Sequence, residues 1–119
     1  MPKILPPKPL RWTIHAKEKM NHYRLSEGRV RRVIHSPERS EEGIAPETQA
    51  FMQPASLTSS QKGKRDWNQE IWVMTKDVEK DRLVISAWRY PGKTKPGEAL
   101  PDVIQDEIQE GIDVGEQVV

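Results

Sequence analysis

His15, Lys19 and His22 stand at positions i, i+4 and i+7. A helix that begins near His15 sets two imidazoles and an ammonium along one stripe. An imidazole titrates close to neutral pH, and a permanent cation beside it suits acid–base chemistry at an anionic substrate. The competing reading is a polar helix face that simply carries His and Lys in water. A second group of chemically useful types closes the segment Leu83–Tyr90. Strand alternation puts Val84, Ser86, Trp88 and Tyr90 on one face, and Leu83, Ile85, Ala87 and Arg89 on the other. The smaller aliphatic set suits packing against helices. At the strand's end, Ser86, Arg89 and Tyr90 offer the hydroxyl and guanidinium groups that meet a phosphate. Aromatic rings beside cations are what unpaired bases stack on, although Trp72 and Trp88 suit a core as well. Two basic runs, Arg29-Val30-Arg31-Arg32 and Lys62-Gly63-Lys64-Arg65, have the composition of a polyanion-binding surface or of ordinary solvated charge.

Other chemistries lack their residues. The chain has no cysteine, so it has no disulfide framework, thiolate nucleophile or thiolate zinc site. The histidines do not form a metalloprotease helix pattern and have no clear third ligand, so no metal is expected. No carboxylate pair, Gly-rich phosphate loop or Ser-centred nucleophile elbow stands at a catalytic spacing, and no cofactor is implied.

The 119 residues suffice for one domain and a tail. Hydrophobic residues make up 34% and charged residues 31%, so the core must come from a few concentrated segments. The longest apolar runs, Ile71–Met74 and Leu83–Ile85, are far too short to span a bilayer. The first residues lack the apolar stretch of a signal peptide, and the expected location is cytoplasmic. A net charge of +1 conceals an asymmetry. Residues 93–119 carry two lysines against seven carboxylates, a net −5, which leaves +6 on residues 1–92. A basic body favours polyanionic partners, and an acidic end competes for the same surface.

Pro2, Pro6, Pro7 and Pro9 make residues 1–10 an extended arm. Residues 11–92 form the domain. Arg11–His15 has strand composition, and Ala16, Met20 and Tyr23 recur at helical spacing up to Arg24. Ser26 is the expected N-cap of a second helix with Val30, Val33 and Ile34 inward, stopped by Pro37. Within polar residues 36–66 a short strand is expected at Gln49–Gln53, followed by a mobile, partly basic loop at 54–66. Trp67–Asp77 and Arg82–Tyr90 alternate as an antiparallel hairpin around a polar turn. Lys93–Gly97 reads as a linker. Residues 98–110 suit an acidic helix with Val103, Ile104 and Ile108 on one face, before a frayed end.

Ile14-His15-Ala16-Lys17-Glu18-Lys19-Met20, then Tyr23-Arg24-Leu25-Ser26, then Val30, Val33-Ile34 and Pro37, resemble the DUF4258 family of small proteins. Ser86-Ala87-Trp88 is similar to the family's closing Thr-Ala-Tyr. The resemblance covers roughly residues 12–90. It implies a RelE-like or barnase-like α+β fold, in which two N-terminal helices pack on a small antiparallel β-sheet, here followed by an acidic tail or helix. It also implies a metal-independent endoribonuclease of toxin type, with RNA as substrate and an antitoxin-like protein as partner. In such an enzyme the RNA 2′-hydroxyl attacks the adjacent phosphate. His15 would then transfer the proton, and Lys19 and Arg89 would stabilise phosphoryl charge. Ser86 maps to the strand-end hydroxyl. Tyr23, Arg24, Arg31, Arg32, Trp88 and Tyr90 would contact substrate, with Tyr90 or Trp88 holding a base. The chain departs from the family where Tyr23 stands for Arg, Arg24 for Gly and Trp88 for Tyr, and in an inserted loop, 38–66, longer than is typical. The missing Arg removes a phosphate-binding cation. The alternative is therefore a non-catalytic module that binds nucleic acid or an acidic protein through its basic body. A further expectation is that the acidic tail acts as an internal mimic of the polyanion.

Overall fold

The computed structural model describes residues 7–42, 45–57, 65–114 and 116–119. The first six residues of the Pro-rich arm and most of the Lys62–Arg65 run lie outside the described residues. In chain order the elements are β1 (Leu10–Trp12), α1 (Ile14–Tyr23), α2 (Glu27–His35), β2 (Arg39–Glu42), β3 (Thr48–Pro54), β4 (Glu70–Val78), β5 (Asp81–Tyr90) and α3 (Asp102–Val114). The chain is α+β. Among the described residues, five strands form one sheet in the order β1-β5-β4-β3-β2.

The sheet is mixed rather than wholly antiparallel. β1 runs parallel to β5, with Leu10 opposite Arg82 and Trp12 opposite Val84. The β2–β3, β3–β4 and β4–β5 pairs are antiparallel, as the hairpin pattern leads one to expect. β1 stops after three residues because Thr13 caps α1. Its Oγ1 accepts from the Ala16 N–H at 3.0 Å and lies 3.1 Å from the Val84 carbonyl, to which the hydroxyl donates. α1 thereby takes over from β1 along the flank of β5.

α1 ends with Arg24 in the left-handed region (φ 56°, ψ 50°). The Leu25 N–H bonds back to the Met20 carbonyl at 2.8 Å, and both side chains are buried together in the core. This is a Schellman-type stop, whose left-handed residue is ordinarily Gly. Arg24 thus stands where a Cβ is unfavourable by about 1–2 kcal/mol, partly offset by the extra chain entropy glycine loses. Arg24→Gly is expected to raise stability by about 0.5–1 kcal/mol, read as a higher urea midpoint. Ser26 caps α2 as expected, accepting from the Arg29 N–H at 3.0 Å. At the other end, Gln53 on β3 donates to the Arg32 and Ser36 carbonyls at 3.0 and 2.7 Å. The C-terminal end of α2 is tied to β3 in this way.

Helices cover both faces of the sheet. On one, Ala16 and Met20 of α1 and Leu25, Val30 and Val33 pack against Phe51, Ile71, Val73, Val84 and Ala87. On the other, Ile104 and Ile108 of α3 pack against Met52, Trp72, Met74, Leu83, Ile85 and Trp88. At roughly 1.5–3 kcal/mol for each fully buried aliphatic side chain, these contacts fix α3 as a structural layer. Residues 98–119 are therefore not a loose tail. Val103 is 56% exposed, so the buried stripe is Ile104, Ile108 and Gly111. Gly111 permits the close approach: a Cβ there would lie 3.3 Å from Ser86 Cβ and 3.4 Å from Ile85 Cγ2. The expected frayed end is paired as well. The Ile14 N–H donates to the Gln117 carbonyl and the Val119 N–H to that of Trp12, both at 2.9 Å.

The faces of β5 also depart from simple alternation. The β4–β5 register shifts between Met74, opposite Ser86, and Thr75, opposite Val84, so Ile85 is an extra residue on its strand. A bulge reverses the sidedness of everything before it. Val84 joins Ala87 and Arg89 on the α1–α2 side, whereas Leu83 and Ile85 join Trp88 on the α3 side. β2, inside the polar segment, has no strand composition because it is an edge; charged residues there discourage pairing with another chain.

One polar group is locked into the core. Glu70 is completely buried and accepts from Trp67 Nε1 (2.9 Å), Trp72 Nε1 (3.0 Å), the Thr94 N–H (2.8 Å) and Thr94 Oγ1 (2.9 Å). The segment expected as a linker, Lys93–Gly97, is thus anchored at Thr94 on its way to α3. Among the described residues no helix is long and apolar enough to cross a membrane.

Candidate nucleic-acid interface

The expected site residues fall into two groups, those that α3 covers and those beside α2. His15, Lys19 and Tyr23 follow one stripe of α1, which faces α3. His15 has an 8% exposed side chain, and its Nε2 lies 3.5 Å from Glu110 Oε1 without a hydrogen bond. Lys19 donates to both oxygens of Glu107, and the two side chains are 16% and 11% exposed. The Lys19 ammonium also sits 5.2 Å from the centre of the Tyr23 ring. His22, the third member of the stripe, is exposed and meets Tyr23 edge-on.

Ser86 and Trp88 are on the α3 side and fully enclosed. Ser86 lies beneath Gly111, and its hydroxyl has no hydrogen-bond partner. Trp88 is 0% exposed and stacks parallel on Trp72, with ring centres 6.2 Å apart. A ring closed in this way is core and offers no face to a base, which corrects the substrate-holding role expected of it. The cause is α3, which covers a strand end that sequence reading leaves as a rim. Tyr90 is half-buried on the same side, against the Gly92 backbone.

Arg89 projects to the other side. Its Nε donates to the Tyr23 carbonyl at 2.9 Å, at the end of α1. There it joins α2. Burial, then repulsion from Arg32 and from Arg89, pushes the Arg29 guanidinium below its ordinary pKa. Arg29 is positioned by Gln53 Oε1 and by the Pro54 carbonyl, 2.9 Å from its Nη2. Arg24, Arg31 and Arg32 are exposed. Arg31 lies over the Trp12 ring at 5.5 Å, with Lys17 near the same ring at 5.1 Å.

Most other cations are paired, and on the α2 side Glu27 and Glu38 hold Lys17 and Arg65. Lys17 pairs with Glu27, Lys19 with Glu107, Arg39 with Glu41, Lys76 with Glu116 and Arg82 with Asp77. Among the described residues, Arg24, Arg29, Arg31, Arg32 and Arg89 have no carboxylate partner. Arg29 is thus repelled by Arg32 and by Arg89, while Arg24 at the end of α1 and Arg31 on α2 are exposed. A guanidinium matches phosphate in two-pronged geometry, and an anion laid across this cluster relieves the repulsion.

Sequence reading identifies the α2 run but not its completion by Arg89, nor the positioning roles of Gln53 and Trp12. Trp12 meets cations from two different helices, so neither it nor Gln53 carries a local signal. A scan against protein-family models, a search of curated proteins and a search of solved structures each return no match to this chain.

Proposed function

We propose that the chain is an RNA-binding module that engages the phosphate backbone through the α2 side of the sheet. The single observation that carries this reading is the Arg29–Arg32–Arg89 cluster, in which no guanidinium makes an ion pair with a carboxylate among the described residues. The +6 charge on residues 1–92 supports it. So does the Trp12 ring beneath Arg31 and Lys17, an aromatic–cation pairing suited to a single strand. RNA is the polyanion that the DUF4258 resemblance favours. Phosphate contacts release counterions, so affinity must fall linearly with salt on logarithmic axes. For a single-stranded oligoribonucleotide contacting three to five phosphates, the slope is expected at about −2 to −3.5. A flat salt response, or no binding at 50 mM salt, would remove the proposal.

One observation favours a second reading, ribonuclease action at α1. The His15 imidazole has a nitrogen without a hydrogen bond and a lysine one turn away on the same stripe. In that reading His15 transfers the proton and Lys19 stabilises the phosphoryl charge. Cleavage should then drop about 10²–10⁴-fold in His15→Ala while binding persists. Intact RNA after prolonged incubation with the wild-type protein leaves the binding reading alone.

A further inference from the structure

We propose that α3 acts as a built-in competitor for a second phosphate subsite, formed on α1 by Lys19 and His15. This rests on the RNA-binding reading and extends it.

The two cations of the α1 stripe face the two carboxylates that α3 turns toward it. Glu107 gives both oxygens to the Lys19 ammonium. Two oxygens on one centre are also what a phosphodiester presents. Glu110 stands 3.5 Å from His15 Nε2, too far to complete a hydrogen bond, so the imidazole is enclosed yet uncommitted. Glu110 itself is 52% exposed at its side chain and is free to swing out. Lysine carries its charge on a flexible four-carbon stem, so the ammonium can reach outward once its partner is gone. The helix does not have to leave: its hold on the sheet comes from Ile104, Ile108 and Gly111.

The subsite is continuous with the proposed interface. The stripe runs from His15 through Lys19 to Tyr23, and the next residue, Arg24, has no carboxylate partner among the described residues. A strand laid along α2 and past Arg24 therefore arrives at Lys19. In the closed arrangement it meets Glu107 there. α3 thus limits how many phosphates the molecule engages, and relief of the two pairs lengthens the tract.

The test is fluorescence anisotropy of a labelled single-stranded oligoribonucleotide, titrated across salt with the full chain. Glu107→Ala with Glu110→Ala is expected to bind about tenfold tighter than wild type at 50 mM salt, with a slope steeper by about one phosphate contact. Glu107→Gln with Glu110→Gln is the isosteric second variant and should move the same way. Asp106→Ala with Asp113→Ala removes the same charge from exposed positions of α3 that hold no cation, and should gain less than threefold with no change in slope. Lys19→Met added to the Glu107→Ala, Glu110→Ala chain should abolish the gain. An equal gain in the Asp106, Asp113 control, or persistence of the gain with Lys19→Met, would overturn the proposal by reducing it to net charge. Wild-type binding with no gain in either Glu107, Glu110 variant would overturn it while leaving the α2 interface standing. Absence of binding in every variant would overturn both.

Discussion

Glu70→Ala is expected to lower stability by about 3–5 kcal/mol, enough to unfold a domain of ordinary stability. The carboxylate is fully enclosed and serves donors from Trp67, Trp72 and Thr94. Trp67 is half-exposed, and its N–H can turn to water. Trp72 is 0% exposed and Thr94 6%, so the indole N–H and the Thr94 backbone N–H are left without acceptors. Each such orphan costs about 1–3 kcal/mol, and the space vacated by the side chain adds to it. Glu70→Gln keeps the shape but aims an NH₂ group at donors, so it should fall between wild type and Ala. Urea unfolding followed by tryptophan fluorescence reads the series directly. A midpoint shift equivalent to less than about 1 kcal/mol for Glu70→Ala would show that the donors find other partners.

The second large effect concerns binding. Arg31→Glu with Arg32→Glu should weaken binding of a single-stranded oligoribonucleotide by about 100-fold or more at 50 mM salt, and flatten the salt slope by about two contacts. Both side chains are exposed, so stability should barely change. The interaction that Arg31 gives up, over the Trp12 ring, is worth only about 0.5–1 kcal/mol at an exposed site. Arg24→Gly makes the complementary separation: a more stable fold that binds more weakly. Together the two variants distinguish loss of a cation from loss of structure.

Much of the scaffold is legible from side-chain periodicity. The β4–β5 hairpin follows from alternating β-branched and aromatic residues, α2 from its Ser26 cap and apolar stripe, and β3 from the short run at Gln49–Gln53. What escapes sequence reading is set by partners distant in the chain. β1 has three residues and owes its existence to β5. β2 is polar because it is an edge. The Ile85 bulge has no local signature, since it arises only when β5 is aligned on β4, yet it decides which side Leu83, Val84 and Ile85 face.

α3 is the most instructive case. Its acidity dominates the composition and suggests a tail. Ile104, Ile108 and Gly111 nevertheless make it a full layer that encloses Ser86 and Trp88 and places carboxylates on His15 and Lys19. The expectation of an internal polyanion mimic therefore rests on Glu107 and Glu110 rather than on bulk charge. The candidate site divides for the same reason: α3 closes the α1 stripe, whereas Glu27 and Glu38 beside α2 hold Lys17 and Arg65 and leave Arg29, Arg32 and Arg89 without a carboxylate partner among the described residues.

Amide chemical-shift mapping of the isotope-labelled chain, titrated with a single-stranded oligoribonucleotide, tests the central claim most directly. The α2 interface predicts perturbations concentrated at residues 24–35 and around Arg89, with residues 102–114 unmoved apart from those beside Glu107 and Glu110. Perturbations spread over the exposed face of α3, or a silent α2 at saturating RNA, would contradict it.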